Sequence, residues 1–237
     1  MTNIVPLDTV AHRALRVDGS AAQQLGDGVQ LVSVVLREFA MLAIDYPILF
    51  GKQSDNGAFF CGAMLGFDAD ENLFLKPGGG MQGYRPLNLE RAPFFATDTG
   101  LAIDLDSPRV GSAAGQRLFD DSGEPTAYLQ RIITVFRELR PAAEETRTFI
   151  RTMLELRLVE PVDIAVSFDD GERRTVEGAY TINREALAEL DDAQVVDLFR
   201  RGYLHSASLM IASLNQIPSL ARRRNDRVTA PLPAGLF

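Results

Sequence analysis

The sequence predicts an α+β fold: an antiparallel β-meander packed with α-helices, followed by a helical C-terminal part. Three observations predict it. Between residues 47 and 106, short apolar segments alternate with turn chemistry, which is the pattern of hairpins. From Pro125 onward apolar residues recur at i, i+3 and i+4, the period of a helix. A further pair of extended segments flanks Asp169-Asp170-Gly171 and interrupts the helical part.

Taken in order, residues 1–30 read as an extended lead-in punctuated by Gly19, Gly26 and Gly28. Residues 31–44 predict the first helix, with Leu31, Val34, Val35 and Leu42 on a broad apolar face opposite Arg37 and Glu38. Asp45-Tyr46-Pro47 stops it, because the residue before a proline avoids the α region. Ile48-Leu49-Phe50 then begins a strand. Ser54-Asp55-Asn56-Gly57 precedes a strand over 58–67, and Asp68-Ala69-Asp70-Glu71-Asn72 precedes one over 73–75. Asp98-Thr99-Gly100 joins 93–97 to 101–105, since Asp-x-Gly and Asn-Gly supply the positive φ of tight turns. Pro77-Gly78-Gly79-Gly80 is the loosest loop of the meander.

Residues 125–157 are expected to be helical, with Pro141 dividing them into an αα-hairpin. Leu129, Ile132, Ile133, Phe136 and Leu139 carry the first apolar face, and Phe149, Ile150, Met153, Leu154 and Leu156 the second. Residues 162–168 and 173–182 form a hairpin that joins or extends the sheet. Asn183 caps a short helix, and Asp191 or Asp192 caps the next. Residues 204–217 form a last apolar helix ended by Pro218. The stretch 221–237, rich in arginine and then proline, reads as a flexible, frayed tail.

Composition narrows the function. The 237 residues fit one large domain, and the 24 basic against 32 acidic side chains give a net charge of -8. Duplex and anionic-membrane binders need a basic face, so nucleic acid is not an expected partner. The single cysteine, Cys61, excludes an intramolecular disulfide and lies in the apolar run 59–65, where it reads as a small buried hydrophobe. With only His12 and His205 beside it, no tetrahedral zinc cage can be assembled, and the sequence shows no Ser-His-Asp ordering or Gly-x-Ser-x-Gly elbow. Neither a signal-like N-terminus nor an apolar run near 18 residues is present, so a cytoplasmic chain without a transmembrane segment is expected.

An ordered set of landmarks resembles the SapC-like family, which is named for a surface-layer protein export gene product. They are Asp45-Tyr46-Pro47-Ile48-Leu49-Phe50, Pro93-Phe94-Phe95 and Leu118-Phe119-Asp120-Asp121-Ser122-Gly123-Glu124-Pro125. The stretch 156–161, Asp170-Gly171 with Gly178-Ala179-Tyr180, and Arg201-Gly202-Tyr203-Leu204 with Ser213-Leu214 complete the set. The resemblance spans residues 4–220, treated as a single α+β domain over 1–220. It implies a bacterial protein tied to secretion or transport, often beside halogenase-like, cupin-like and receptor proteins. It carries no catalytic residue with it.

Several stretches invite a site. Gly78-Gly79-Gly80-Met81-Gln82-Gly83 lacks the Lys-Ser/Thr of a phosphate loop and reads as an inter-strand loop. Asp120-Asp121-Ser122-Gly123-Glu124 gathers three carboxylates that suit a hard cation, yet the EF-hand spacing is missing and the same residues make good turn chemistry. No metal and no cofactor are assigned. Tyr46, Tyr84, Arg85, Arg91, Phe94 and Phe95 form the candidate ligand-binding set: aromatics, prolines and arginines that suit a groove for an aromatic group or extended peptide, with arginine meeting a carboxylate. Core packing and rim charge explain the same residues without a ligand. Arg222-Arg223-Arg224 reads as a solvated run that also suits an acidic partner.

The reading that results is a non-enzymatic accessory protein of surface-protein export, peptide uptake or modification, with a protein, peptide or small aromatic partner. An enzyme or enzyme subunit working with a halogenase- or dioxygenase-like partner through dispersed carboxylates and arginines is the alternative. A structural module forming a homodimer is a third.

Overall fold

A computed structural model describes residues 3–98 and 100–229. The chain opens with short strands β1 (Ile4–Pro6), β2 (Arg16–Val17) and β3 (Leu31–Ser33), then α1 (Phe39–Leu42). Strands β4 (Ile48–Lys52) and β5 (Phe59–Met64) lead to α2 (Leu87–Glu90), β6 (Phe94–Ala96), β7 (Leu101–Asp104) and β8 (Gln116–Arg117). The long helix α3 (Ala127–Glu155) precedes the hairpin β9 (Val159–Ser167) and β10 (Arg173–Ile182). Helices α4 (Arg184–Ala188), α5 (Asp192–Arg200), α6 (Tyr203–Ser213) and α7 (Ile217–Thr229) follow. This is the predicted α+β class, with its helical C-terminal part.

The chain gathers into two compact units, one of residues 1–28 and 75–146, the other of 29–74 and 147–237. In the first, β1, β7 and β6 form an antiparallel sheet in the order β1-β7-β6, and β2 pairs with β8. Their apolar faces meet Leu129 and Ile132 of α3 in a core with Val17, Phe94, Ile103, Leu118 and Phe119. The hairpin turn expected at 98–100 closes as Thr97 N–H donates to the Gly100 carbonyl (2.9 Å); Thr99 itself lies outside the described residues.

In the second unit five antiparallel strands run in the order β3-β5-β4-β10-β9. The predicted 162–182 hairpin does extend the sheet, through Tyr180 opposite Phe50. Gly171 (φ 84°) turns it over. Gly62 on β5 lets Leu31 cross closely, since a Cβ there would lie 2.7 Å from the leucine side chain. Phe149 packs edge-on against Phe39 (6.3 Å) and Tyr203 (5.3 Å) and stacks on Phe50 (6.0 Å), a buried aromatic column beneath the sheet.

Several expectations are corrected. The meander of 47–106 is not one sheet: β4 and β5 belong to the five-stranded sheet, whereas β6 pairs with β7 and β7 in turn with β1. Residues 31–44 are not one helix. The β-branched run Val32, Val34, Val35 favours the extended β3, and Glu38 then accepts the Val35 N–H (3.0 Å) to start a short 3-10 turn before α1. Residues 73–75 form no strand; Asn72 turns the chain by accepting the Phe74 N–H (3.0 Å), and Leu75 makes a single bridge to Met81. Pro141 does not divide α3. It and Arg137, whose carbonyl loses its helical donor, both lie on the exposed face, where that carbonyl is open to solvent. Pro218 does not end the last helix either, because it sits in the first turn of α7, where a missing N–H costs nothing. The arginines expected to fray at 222–224 are therefore helical, and 230–237 lie outside the described residues.

Candidate functional site

Arg91, Phe94 and Phe95 come together in the first unit, at the outer edge of β6. Pro93 accepts the Asp104 N–H of β7 (3.1 Å) and Phe95 stands opposite Ala102, so Phe94 between them directs its own N–H and carbonyl away from the sheet. Both are taken by one residue: Phe94 N–H donates to the Arg91 carbonyl (2.8 Å), and Arg91 Nη1 donates to the Phe94 carbonyl (2.7 Å). Arg91 Nε also donates to Asn88 Oδ1 (2.7 Å), and the guanidinium lies 5.3 Å from the Phe95 ring and 5.8 Å from that of Phe136. The arginine thus blunts an edge strand rather than standing open to a ligand. Burial pulls its pKa down.

Arg85 is held in the same manner. Its Nη1 donates to the Gly19 carbonyl (2.6 Å), its Nη2 to the Leu89 carbonyl (3.3 Å), and Nη2 lies 3.7 Å from Asp27 Oδ2. Desolvation lowers its pKa, against the raising effect of Asp27. Tyr84 is half-buried beside it. Phe94 is buried in the core, and Phe95 points the other way and stays half-exposed. Tyr46 belongs to the second unit, where it is wholly buried with its ring 4.3 Å from that of Phe74. Desolvation there drives its phenol pKa upward.

Asp27 and Arg109, neither of them in the candidate set drawn from the sequence, organise this region. Their side chains are each 1% exposed, with Arg109 Nη2 2.6 Å from Asp27 Oδ2. The contact is one of charge rather than an aligned hydrogen bond, since no N–H of that nitrogen points at an acceptor. Asp27 Oδ2 accepts the Ala22 N–H (2.9 Å), and Arg109 Nη1 donates to the carbonyls of Asp18 (3.0 Å) and Ser20 (2.7 Å). Two guanidinium groups therefore clamp the 18–20 loop. The only sequence hint was Asp27 between two glycines; Arg109 sits in an unremarkable Ser-Pro-Arg-Val stretch.

This clamp backs an open cleft of about 790 Å³. Leu25, Pro93, Phe95 and Pro108 give it an apolar wall, Arg109 lies at its base, and Asp104 and Asp106 stand on its lip. Asp104 Oδ1 is already occupied by the N–H groups of Asn3 (3.0 Å) and Asp106 (3.1 Å).

The remaining candidates are occupied by local structure. Asp120 Oδ1 accepts from Ser122 N (2.9 Å), Ser122 Oγ (2.6 Å) and Glu124 N (3.0 Å), and these bonds hold its pKa below the carboxylate range. Among the described residues no three His, Cys, Asp or Glu side chains gather closely enough to hold a metal ion. In the glycine loop, Gly79 N–H donates to Lys76 and Gly80 N–H to Ala21, so those amides do not cradle a phosphate. His12 Nδ1 accepts the Asp8 N–H (2.9 Å) within one turn, and His205 lies exposed on α6. Cys61 is completely buried, which pushes its thiol pKa far up.

The sequence profile of SapC matches residues 7–220. The chain belongs to the SapC family. The matched stretch contains the Arg91 edge cap, the Asp27–Arg109 clamp and the cleft wall of this SapC-family chain. No curated protein and no solved structure matches the chain at a significant level. No described helix is long and apolar enough to cross a membrane.

Proposed function

We propose that this chain is a non-catalytic accessory protein that holds an extended peptide segment in the Phe95 cleft, within the surface-protein export, uptake or modification setting to which its family resemblance points. The observation that carries this reading is the division of labour around the cleft. Arg109, the one arginine that lines the cleft, is engaged with the Asp18 and Ser20 carbonyls and Asp27, while Phe95, Pro93 and Pro108 present an apolar surface. A volume near 790 Å³ is of the size that takes one or two side chains of a peptide. Aromatic or apolar side chains suit the wall, and a basic group suits Asp104 and Asp106 at the lip.

Selection of peptides from a random display library on the purified chain, followed by calorimetric titration of the enriched sequence, tests this. Phe95→Ala is expected to weaken binding about tenfold or more, the loss usual for a central aromatic contact, and Asp106→Asn to weaken peptides bearing a basic residue. Enriched peptides that bind Phe95→Ala as tightly as wild type would refute the cleft assignment. Failure to enrich any peptide would refute the peptide reading itself.

A further inference from the structure

A second charged and aromatic cluster lies wholly within the second unit, where α7 meets the β9–β10 turn. Apart from the buried Leu220, α7 is seated by arginines rather than by an apolar stripe. The Arg223 guanidinium lies 4.3 Å from the Phe74 ring, and that of Arg224 lies 4.3 Å from the Phe168 ring. Arg224 also pairs with Asp170 through Nη1 and with Glu172 through Nη2 (2.6 Å), leaving its side chain 12% exposed. Asn225 Oδ1 accepts the Asp169 N–H (3.3 Å).

The seat is built independently of the helix it carries. Phe168 meets the edge of Phe67 (5.1 Å), and Phe74 rests on Tyr46 (4.3 Å), so both rings are fixed from beneath. Arg174 bridges Asp68 (3.0 Å) and Glu172 (3.0 Å), which holds the glutamate toward Arg224. Two aromatic faces with an acid pair beside one of them make the chemistry that reads guanidinium groups: stacking on the ring and a forked ion pair at its rim. The occupant is complementary. Residues 217–229 carry four arginines and one acidic residue in a chain of net charge -8.

We propose that this surface is a recognition site for arginine-bearing helical segments, and that α7 occupies it in cis as an autoinhibitory ligand. Displacing α7 uncovers Phe74 and Phe168 and frees Asp170 and Glu172 for a basic helix of a partner. The site is separate from the Phe95 cleft, and neither proposal depends on the other.

The test uses the full chain and a fluorescein-labelled synthetic peptide of sequence 217–229. In Arg223→Ser/Arg224→Ser, amide hydrogen exchange over 217–229 is expected to speed up about tenfold or more while the five-stranded sheet keeps its protection, the mark of local opening. That variant is expected to bind the peptide at least ~10-fold more tightly than wild type does, because the cis occupant no longer competes. A peptide with serine at the positions of Arg223 and Arg224 is expected to lose the binding, a control that needs no change in the folded chain. Adding Asp170→Asn/Glu172→Gln should weaken it likewise. Unchanged exchange over 217–229 in the double variant would overturn the clasp. Equal binding by wild type and variant, binding of neither, or equal binding of the serine peptide would overturn the recognition site.

Discussion

Replacing Asp27 with asparagine tests whether the buried clamp holds the first unit together. The substitution keeps an oxygen for the Ala22 N–H and nearly the same volume, so it removes little but charge. What it leaves behind is Arg109, 1% exposed, with its counter-ion gone and Arg85 nearby as a second cation. Removing one partner of a buried ion pair costs about 3–5 kcal/mol, because the other charge stays desolvated. Arg109 retains the Asp18 and Ser20 carbonyls, which places the expected loss near the lower end, about 3 kcal/mol. Against a total stability of about 5–15 kcal/mol that is a large fraction. Urea unfolding followed by circular dichroism should show the midpoint falling by about 1 M or more, given slopes of ~1–3 kcal/mol/M. The double variant Asp27→Leu/Arg109→Met, which removes both charges, should recover part of the loss. A single Asp27→Asn variant within ~0.5 kcal/mol of wild type would refute the argument, since that is the range of an ordinary surface substitution.

Other outcomes follow from the same geometry. Cys61 should resist a disulfide reagent in the native state and react only as the chain unfolds, because burial disfavours its thiolate; stoichiometric labelling of the folded protein would contradict this. Pro141→Ala should stabilise by about 1–2 kcal/mol in thermal or urea unfolding, since the alanine restores a helical N–H on the exposed face of α3 against some gain in unfolded-state entropy. A destabilised variant would mean that the helix is adapted to the proline. For Asp170, hydrogen bonding to Arg224 holds the folded carboxyl below its ordinary pKa. Its contribution is therefore complete above the unfolded value near ~3.9 and lost as pH falls through the folded one. The gap in denaturation midpoint between wild type and Asp170→Asn should close below about pH 4, and a gap that persists or widens in acid would contradict the sign.

How much of this was legible in the sequence differs by feature, for physical reasons. Hairpins announced themselves because their turn residues are local: Asn56-Gly57 and Asp170-Gly171 mark β4–β5 and β9–β10 where the structure has them. Caps were legible for the same reason, Asn183 accepting the Ala186 N–H and Asp191 that of Gln194. Sheet membership was not, because nothing near β6 or β7 states that the partner is β1 at the far end of the chain. The helix misread at 31–44 shows the ambiguity of short apolar runs, whose outcome here is decided by pairing with β5 rather than by periodicity. Pro141 and Pro218 were read as breaks on propensity alone, whereas exposure in one case and first-turn placement in the other make them tolerable. In the candidate set, Arg91, Phe94 and Phe95 were found together because they are neighbours in sequence, and Tyr46 was grouped with them by composition although it belongs to the other unit. Asp27 and Arg109 were missed because their importance comes entirely from burial and from a partner distant in sequence.

The preference for arginine runs through all of these sites. Of the 24 basic residues, 22 are arginine and only Lys52 and Lys76 are lysine. An ammonium group serves one acceptor well, but a planar guanidinium joins several partners at fixed angles and lays its face on a ring. Arg91 uses that geometry to cap a strand edge beside two phenylalanines, Arg109 to clamp a loop while facing a carboxylate, and Arg224 to grip a turn while stacking on Phe168. Such groups, held by carbonyls and rings, have their donors engaged. The same residues make stiff walls and well-defined seats. That is the physical character the two proposed sites share, an apolar cleft backed by Arg109 in one unit and a surface that seats Arg223 and Arg224 in the other.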